Sequence, residues 1–174
     1  MTVERTGIIQ LAGKDATIIG ADVSIGNLAR DFQVHAVDWT IVRGMADTSG
    51  KVRIIAAVPS LETEVCDRET RRFNQAAASL SKDILIEVIS TDLPYTQKRW
   101  CGAAGVDQVM VLSDHMRTEF GEKYGCLIKE RRILRRAVFI VDALDRIAYV
   151  AYMPALGDEP NYEEVLAVAK RLLA

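Results

Sequence analysis

Apolar runs and amphipathic stretches alternate along this chain. "KVRIIAAV" (51–58) is a continuous apolar run rich in β-branched residues, as expected of a strand covered on both faces. Pro59 stops it. In the following "TEVCDRETRRFNQAAASL", the apolar positions Val65, Phe73, Ala76, Ala77 and Leu80 fall on one helical face, with charges elsewhere. Next come a strand, "DILIEVIS" (83–90), a short helix around "LPYTQKRWCGAAG", a strand "VMVLS" and a short helix near "DHMRTEFGEKYG". "RAVFIVD" and "RIAYVAYM", separated by "ALD", read as an antiparallel hairpin. "NYEEVLAVAKRLLA" closes the chain as a helix with Asn161 as N-cap and Val165, Leu166, Val168 and Leu172 turned to the core. Upstream, "DATIIGADV" reads as a strand or hairpin turning near Gly20, and "FQVHAVD" as a further strand.

The order β-α-β-α-β-α-β-β-α predicts an α/β protein with a thioredoxin-like fold. Its central mixed β-sheet, parallel first and hairpin-ended, is flanked by helices, with an extra N-terminal β-hairpin. No repeat, low-complexity segment or linker interrupts the pattern. The 174 residues are therefore expected to form one domain, 1–174, with a substantial core.

Composition narrows the function. A net charge of −2 offers no basic field for nucleic acid. The basic run "KERRILRR" comes without a recognisable reading element, so a nucleic-acid binder is the weakest reading. No stretch reaches the roughly 18–20 apolar residues of a spanning helix, and the N-terminus lacks a secretory pattern. A soluble, cytoplasmic protein with no membrane contact is expected. Three cysteines, an odd number without Cys-x-x-Cys, do not form a secreted disulfide framework. His35 and His115 stand alone, as surface or boundary residues rather than ligands, so neither a metal nor another cofactor is expected.

One cysteine has an unusual setting. Cys66 ends "AVPSLETEVC" and falls in the first turn of the helix that follows the strand 51–58. Unpaired backbone N–H groups converge there, and the helix dipole adds partial positive charge; both favour thiolate over thiol. Thr63 lies three residues earlier and shares a helical face with it, so its hydroxyl can donate to the sulfur or hold the oxygen of a substrate. Pro59 can screen the site from water. Each residue also has a plainer role: Thr63 or Ser60 as helix cap, Pro59 as strand breaker, Cys66 as apolar filler.

Taken together, Pro-x-x-x-Thr-x-x-Cys in "PSLETEVC" resembles the active-site segment of peroxiredoxins, and its Pro-Ser-x-x-Thr-x-Val-Cys form resembles the thiol peroxidase branch. The resemblance continues in "FNQ" (73–75), "STDLPYTQKRWCG" (90–102), "YG" (124–125), "RAVFIVD" (136–142) and "GNLARDFQV" (26–34), covering most of the chain from Gly26 onward. It implies that Cys66 attacks the O–O bond of hydrogen peroxide or an alkyl hydroperoxide and becomes a sulfenic acid. Thr63 would orient thiolate and peroxide, Pro59 would shield them, and Arg136 would supply a guanidinium. Arg135 competes for that last role. On a strand adjacent residues face opposite ways, so only one of the two can face Cys66, and the resemblance selects Arg136.

The resemblance makes Cys101 the resolving thiol of an atypical two-cysteine enzyme. It would form an intramolecular Cys66–Cys101 disulfide that thioredoxin reduces, and the protein would be a homodimer. Bridged Cα atoms must approach to about 4.4–6.8 Å, so two cysteines on separate helices require one helix end to unwind in each cycle. No role is implied for Cys126 beyond buried filler. Trp100, Tyr95, Thr96 and Arg30 depart from the family pattern, in the resolving helix and the entry segment. Trp100, Phe120 and Tyr124 would suit an alkyl hydroperoxide if they line the site, and are core if they do not. The rival from another class is a redox-sensing interaction module in which the same cysteine pair acts as a switch. A general thiol–disulfide oxidoreductase is disfavoured by the absence of Cys-x-x-Cys.

Overall fold

The computed structural model describes residues 2–174. In chain order the strands are β1 (Glu4–Leu11), β2 (Lys14–Ile19), β3 (Gln33–His35), β4 (Ile41–Arg43), β5 (Val52–Ala57), β6 (Ile84–Ser90), β7 (Met110–Ser113), β8 (Leu127–Ile128), β9 (Ile133–Leu134), β10 (Ala137–Val141) and β11 (Ile147–Tyr152). The helices are α1 (Glu64–Ala77), α2 (Pro94–Ala104), α3 (Glu119–Lys123) and α4 (Tyr162–Arg171). Seven strands form the central sheet in the order β11-β10-β5-β6-β7-β3-β4, and the other four form a second sheet, β1-β2-β8-β9.

The central sheet is mixed, as the pattern predicts. β5 pairs parallel with β6 and β6 with β7, whereas β10 runs antiparallel to both β5 and β11. All six residues of β5 are buried, which is why its sequence is apolar apart from Arg53 rather than alternating. Two clusters of buried side chains lie on its two faces. One contains Ile54, Ala56, Val138 and Ile140 with Cys66 and Phe73 of α1, Trp100 of α2 and Val165 and Ala169 of α4. The other contains Ile55, Ala57, Ile89 and Phe139 with Phe32, Phe120, Tyr124 and Cys126. The period of two along β10 thus sends its even positions to one face and its odd positions to the other.

The N-terminal hairpin is present, but it closes at Ala12–Gly13 and β2 ends at Ile19, just before Gly20. β1 carries a bulge between Thr6 and Ile9 in which Gly7 adopts φ 77°, and this breaks the alternation that would have marked the strand. β4, β8 and β9 have only two or three residues, too few to produce a period. Asn161 caps α4, accepting the Glu164 N–H at 3.1 Å. Among the described residues no helix is long and apolar enough to cross a membrane.

Candidate active site

Topology brings the candidate residues together. The chain leaves β5 at its carboxyl end, passes Pro59 and enters α1. The antiparallel β10 pairs Ala137 with Ala57, so Arg136 arrives at that same end of the sheet. Arg136 shares the parity of Val138 and Ile140 and faces α1; Arg135 faces the opposite layer.

Cys66 is the third residue of α1 and fully buried. Thr63 occupies the N-cap position, and the first helical bond runs from the Asp67 N–H to the Thr63 carbonyl at 2.9 Å. The N–H groups of Glu64, Val65 and Cys66 therefore have no partner within the helix. Two donors reach the sulfur itself: Arg136 Nη2 at 3.2 Å and the Ser60 backbone N–H at 3.5 Å. Pro59 is buried and has no N–H of its own, and the Val58 N–H is taken by the Ile89 carbonyl at 2.9 Å, so Ser60 is the first residue after the strand with one to offer. Thr63 differs from both expected roles. Its hydroxyl donates to the Ser60 carbonyl at 2.8 Å, makes no cap bond and makes no hydrogen bond to the sulfur. The turn 60–63 holds it because the Ser60 carbonyl also takes the Thr63 N–H at 3.0 Å.

The guanidinium of Arg136 is held on every side. Nε and Nη2 donate to the Leu156 carbonyl at 3.1 and 3.0 Å, and Nη1 donates to Glu69 Oε2. Glu69 is buried on α1, three residues after Cys66 and on the same face. Burial outweighs the Arg136 charge and pushes the Glu69 carboxyl up to about 7. Burial disfavours the charge on Arg136, but Glu69 and Cys66 more than compensate and raise its affinity for the proton.

A second anchor lies in the β6–α2 connection. Asp92 accepts Ser60 Oγ at 2.7 Å, the Leu61 N–H at 2.8 Å and Ser90 Oγ at 2.8 Å. The turn carrying the Ser60 donor is thus fixed to the loop that leads into α2. Ser60, Glu69 and Asp92 were not singled out by spacing for any such role. Glu69 could have been found as the i+3 neighbour of Cys66, and Asp92 lies inside the quoted "STDLP".

Cys101 is half-buried on α2, packed against the same apolar layer as Cys66, and all three cysteines are free. Burial pushes its thiol up. The end of α2 is tied to α1 and the turn before it through Trp100 Nε1 to Asp67 at 2.9 Å, Arg71 Nη1 to the Ala104 carbonyl at 3.2 Å and an Arg99–Glu62 ion pair. Gly105, at φ 66°, closes the helix. An open cleft of about 380 Å³ lies where the helices meet, lined by Leu61, Thr63, Asp67, Trp100 and Ala104. Only Trp100 of the three aromatic candidates shares the layer of Cys66. Phe120 and Tyr124 pack on the opposite face of the sheet with Phe32 and Phe139, as core.

His35 is buried rather than at the surface, against Trp39 and His115, and His115 meets Ser113 Oγ at 3.0 Å. The basic run 129–136 is not one solvated face: Lys129 pairs with Glu4, and Arg135 and Arg136 are buried.

A buried sulfur with a guanidinium and a backbone N–H directed at it can bear negative charge and stabilise a second oxyanion beside it. Comparison with known proteins points the same way. A family model described as Redoxin matches residues 25–166. The chain is similar to the thiol peroxidase of Oceanobacillus iheyensis, 48% identical over 151 residues that cover 87% of this chain and 91% of that protein. It is also similar to the thiol peroxidase of Bacillus subtilis, 44% identical over 165 residues, covering 95% and 98%. Among solved structures, a peroxiredoxin-like protein from Aquifex aeolicus superposes with a TM-score of 0.85 at 38% identity, covering 98% of each chain. The thiol peroxidase of Chromobacterium violaceum superposes at 0.80 with 20% identity over 95% of this chain and 97% of that one, a likeness of fold alone.

Proposed function

The chain belongs to the redoxin family, in its thiol peroxidase branch, and from that premise we propose a thioredoxin-dependent hydroperoxide reductase whose attacking atom is the sulfur of Cys66. The observation that carries the assignment is the 3.2 Å contact between Arg136 Nη2 and that buried sulfur at the start of a helix. In the first step the Cys66 thiolate forms a bond to the terminal oxygen of ROOH as the O–O bond breaks. Sulfur loses two electrons and becomes a sulfenic acid, and the leaving alkoxide takes a proton to become ROH. Arg136 and the Ser60 N–H stabilise both anions. Pro59 keeps water from the sulfur, and Thr63 turns from the Ser60 carbonyl toward the peroxide when substrate enters.

In the second step the Cys101 sulfur attacks the sulfenic acid, an S–S bond forms, and water leaves. Cys66 and Cys101 sit on different helices, so the end of α2 must release the Trp100–Asp67 and Arg99–Glu62 contacts first. Thioredoxin then reduces the disulfide. The enzyme is proposed to work in the cytoplasm as a homodimer of the single domain 1–174.

The test is NADPH consumption with hydrogen peroxide or cumene hydroperoxide and a thioredoxin system. Wild type should turn over, Cys66→Ser should be inactive, and Cys101→Ser should oxidise once and not recycle. Turnover by Cys66→Ser would refute the assignment. Peroxide use that stops at one equivalent in wild type would instead favour a redox-sensing module.

A further inference from the structure

The site holds two acids and one cation. Arg136 donates through Nη2 to Cys66 and through Nη1 to Glu69, and all three side chains are buried, 1% exposed or less. Its remaining bonds go to the Leu156 carbonyl, which carries no charge. Glu69 Oε1 is buried without any hydrogen-bond partner. Ionising both acids at once would leave a net negative charge in a buried site with an oxygen that no protein group bonds, an arrangement that folded proteins avoid by keeping a proton. Two acids so closely coupled through one guanidinium titrate as a pair.

We propose that Glu69 is a positioning residue that shares one proton and one negative charge with Cys66, the charge passing from sulfur to carboxylate when the sulfur is oxidised. While Cys66 is a thiolate, Glu69 stays protonated. Once the sulfur has become a neutral sulfenic acid or disulfide, Glu69 ionises and replaces it as the counter-ion of Arg136. The guanidinium keeps its place through both stages. The balance is Cys66–S⁻ + Glu69–COOH + ROOH giving Cys66–SOH + Glu69–COO⁻ + ROH. Sulfur gives two electrons to the O–O bond, and the proton needed by the alkoxide equals the one Glu69 gives up. Condensation with the Cys101 thiol then releases water without a further net proton.

The surroundings suit this exchange near neutral pH. Besides Arg136 from β10 and Cys66 on its own helix, Glu69 faces Glu159 in the β11–α4 connection and Tyr162 at the start of α4. Burial, with help from the nearby Glu159 charge, raises the carboxyl against the pull of Arg136. The Tyr162 phenol, itself raised by burial, stays neutral and donates to Glu159 Oε1 at 2.8 Å.

This inference rests on the peroxidase reading, and its test separates the two. Reduced wild type and Glu69→Gln are titrated by thiolate absorbance. Each is then mixed with one equivalent of hydrogen peroxide near neutral pH, in weak buffer with an indicator dye. Glutamine keeps an oxygen for Arg136 but cannot ionise. Wild type should take up no net proton per disulfide formed. E69Q should take up about one proton per thiolate consumed. Equal proton counts in the two proteins would overturn the proposal. If E69Q does not fold, the wild-type count decides alone: uptake of one proton per thiolate consumed sinks it. If peroxide drives no disulfide in wild type, the peroxidase reading fails and this inference falls with it.

Discussion

Two sulfurs, Cys66 and Cys126, are both wholly buried, one on each face of the central sheet, and each has one of two adjacent arginines nearby. Their settings are nevertheless opposite. Arg136 donates to Cys66 at 3.2 Å, with the Ser60 N–H alongside. Arg135 lowers the Cys126 thiol only in part, because other groups hold it: it pairs with Asp22, donates to the Gly125 carbonyl at 2.9 Å and lies 3.8 Å over the Tyr152 ring. Cys126 Sγ itself acts as a donor, to the Tyr124 carbonyl at 3.4 Å. Burial then dominates, and the Cys126 thiol is pushed up to about 12. A nearby cation does not make a reactive cysteine. What matters is whether the donors point at the sulfur or are already taken.

The sharpest way to break this comparison is to remove each arginine in turn. Arg136→Gln should slow single-turnover oxidation of Cys66 by about 10²–10³-fold, the usual cost of one oxyanion donor. Arg135→Gln should leave that rate within about threefold and lower stability instead, by roughly 1–3 kcal/mol, because a buried charge-assisted bond is lost. Stopped-flow fluorescence and denaturant melts measure the two effects. Equal slowing by both variants would mean that the face of β10 is immaterial.

A smaller effect compares the two buried glutamates. Glu69 has Arg136, whereas neither oxygen of Glu87, in the middle of β6, has a hydrogen-bond partner. Arg53, the cation nearest in effect, is spent on Thr48, Asp142 and Asp145. Burial raises the Glu87 carboxyl to about 8. A folded value above the unfolded one means that the native state holds the proton longer. Stability is then greatest below pH ~4.5 and falls as pH rises toward about 8, where the folded group ionises. Glu87→Gln should flatten this slope between pH 5 and pH 9, by about 1–4 kcal/mol across the range. Thermal melts of both proteins over that range check it, and parallel curves would count against a buried, unpaired acid.

Much of this was legible in the residues. The apolar run of β5 and the Asn161 cap follow from local chemistry, and each stands in the structure; of the face expected for α1 only Phe73 is fully buried, beside Cys66, Glu69 and Thr70, and Leu80 lies past the helix end. Alternation along β10 makes Arg135 and Arg136 mutually exclusive, and the register with β5 puts Arg136 beside Cys66. The hairpin turn at Ala12–Gly13 was hidden by the bulge at Gly7, and the two-residue strands are too short to carry a period. Phe120 and Tyr124 follow the pattern of site-lining and core residues equally well, and only the sheet between them and Cys66 separates the two roles. Glu69 escaped because a glutamate on a charged helix reads as solvated until tertiary packing buries it against Arg136.

The contrast between the two buried sulfurs can be tested directly on the molecule. Cys101→Ser protein, fully reduced, is mixed with one equivalent of hydrogen peroxide and dimedone, and its peptides are mapped by mass spectrometry. The adduct should sit on the Cys66 peptide, with Cys126 unmodified. An adduct on Cys126, or none on Cys66, would contradict the account.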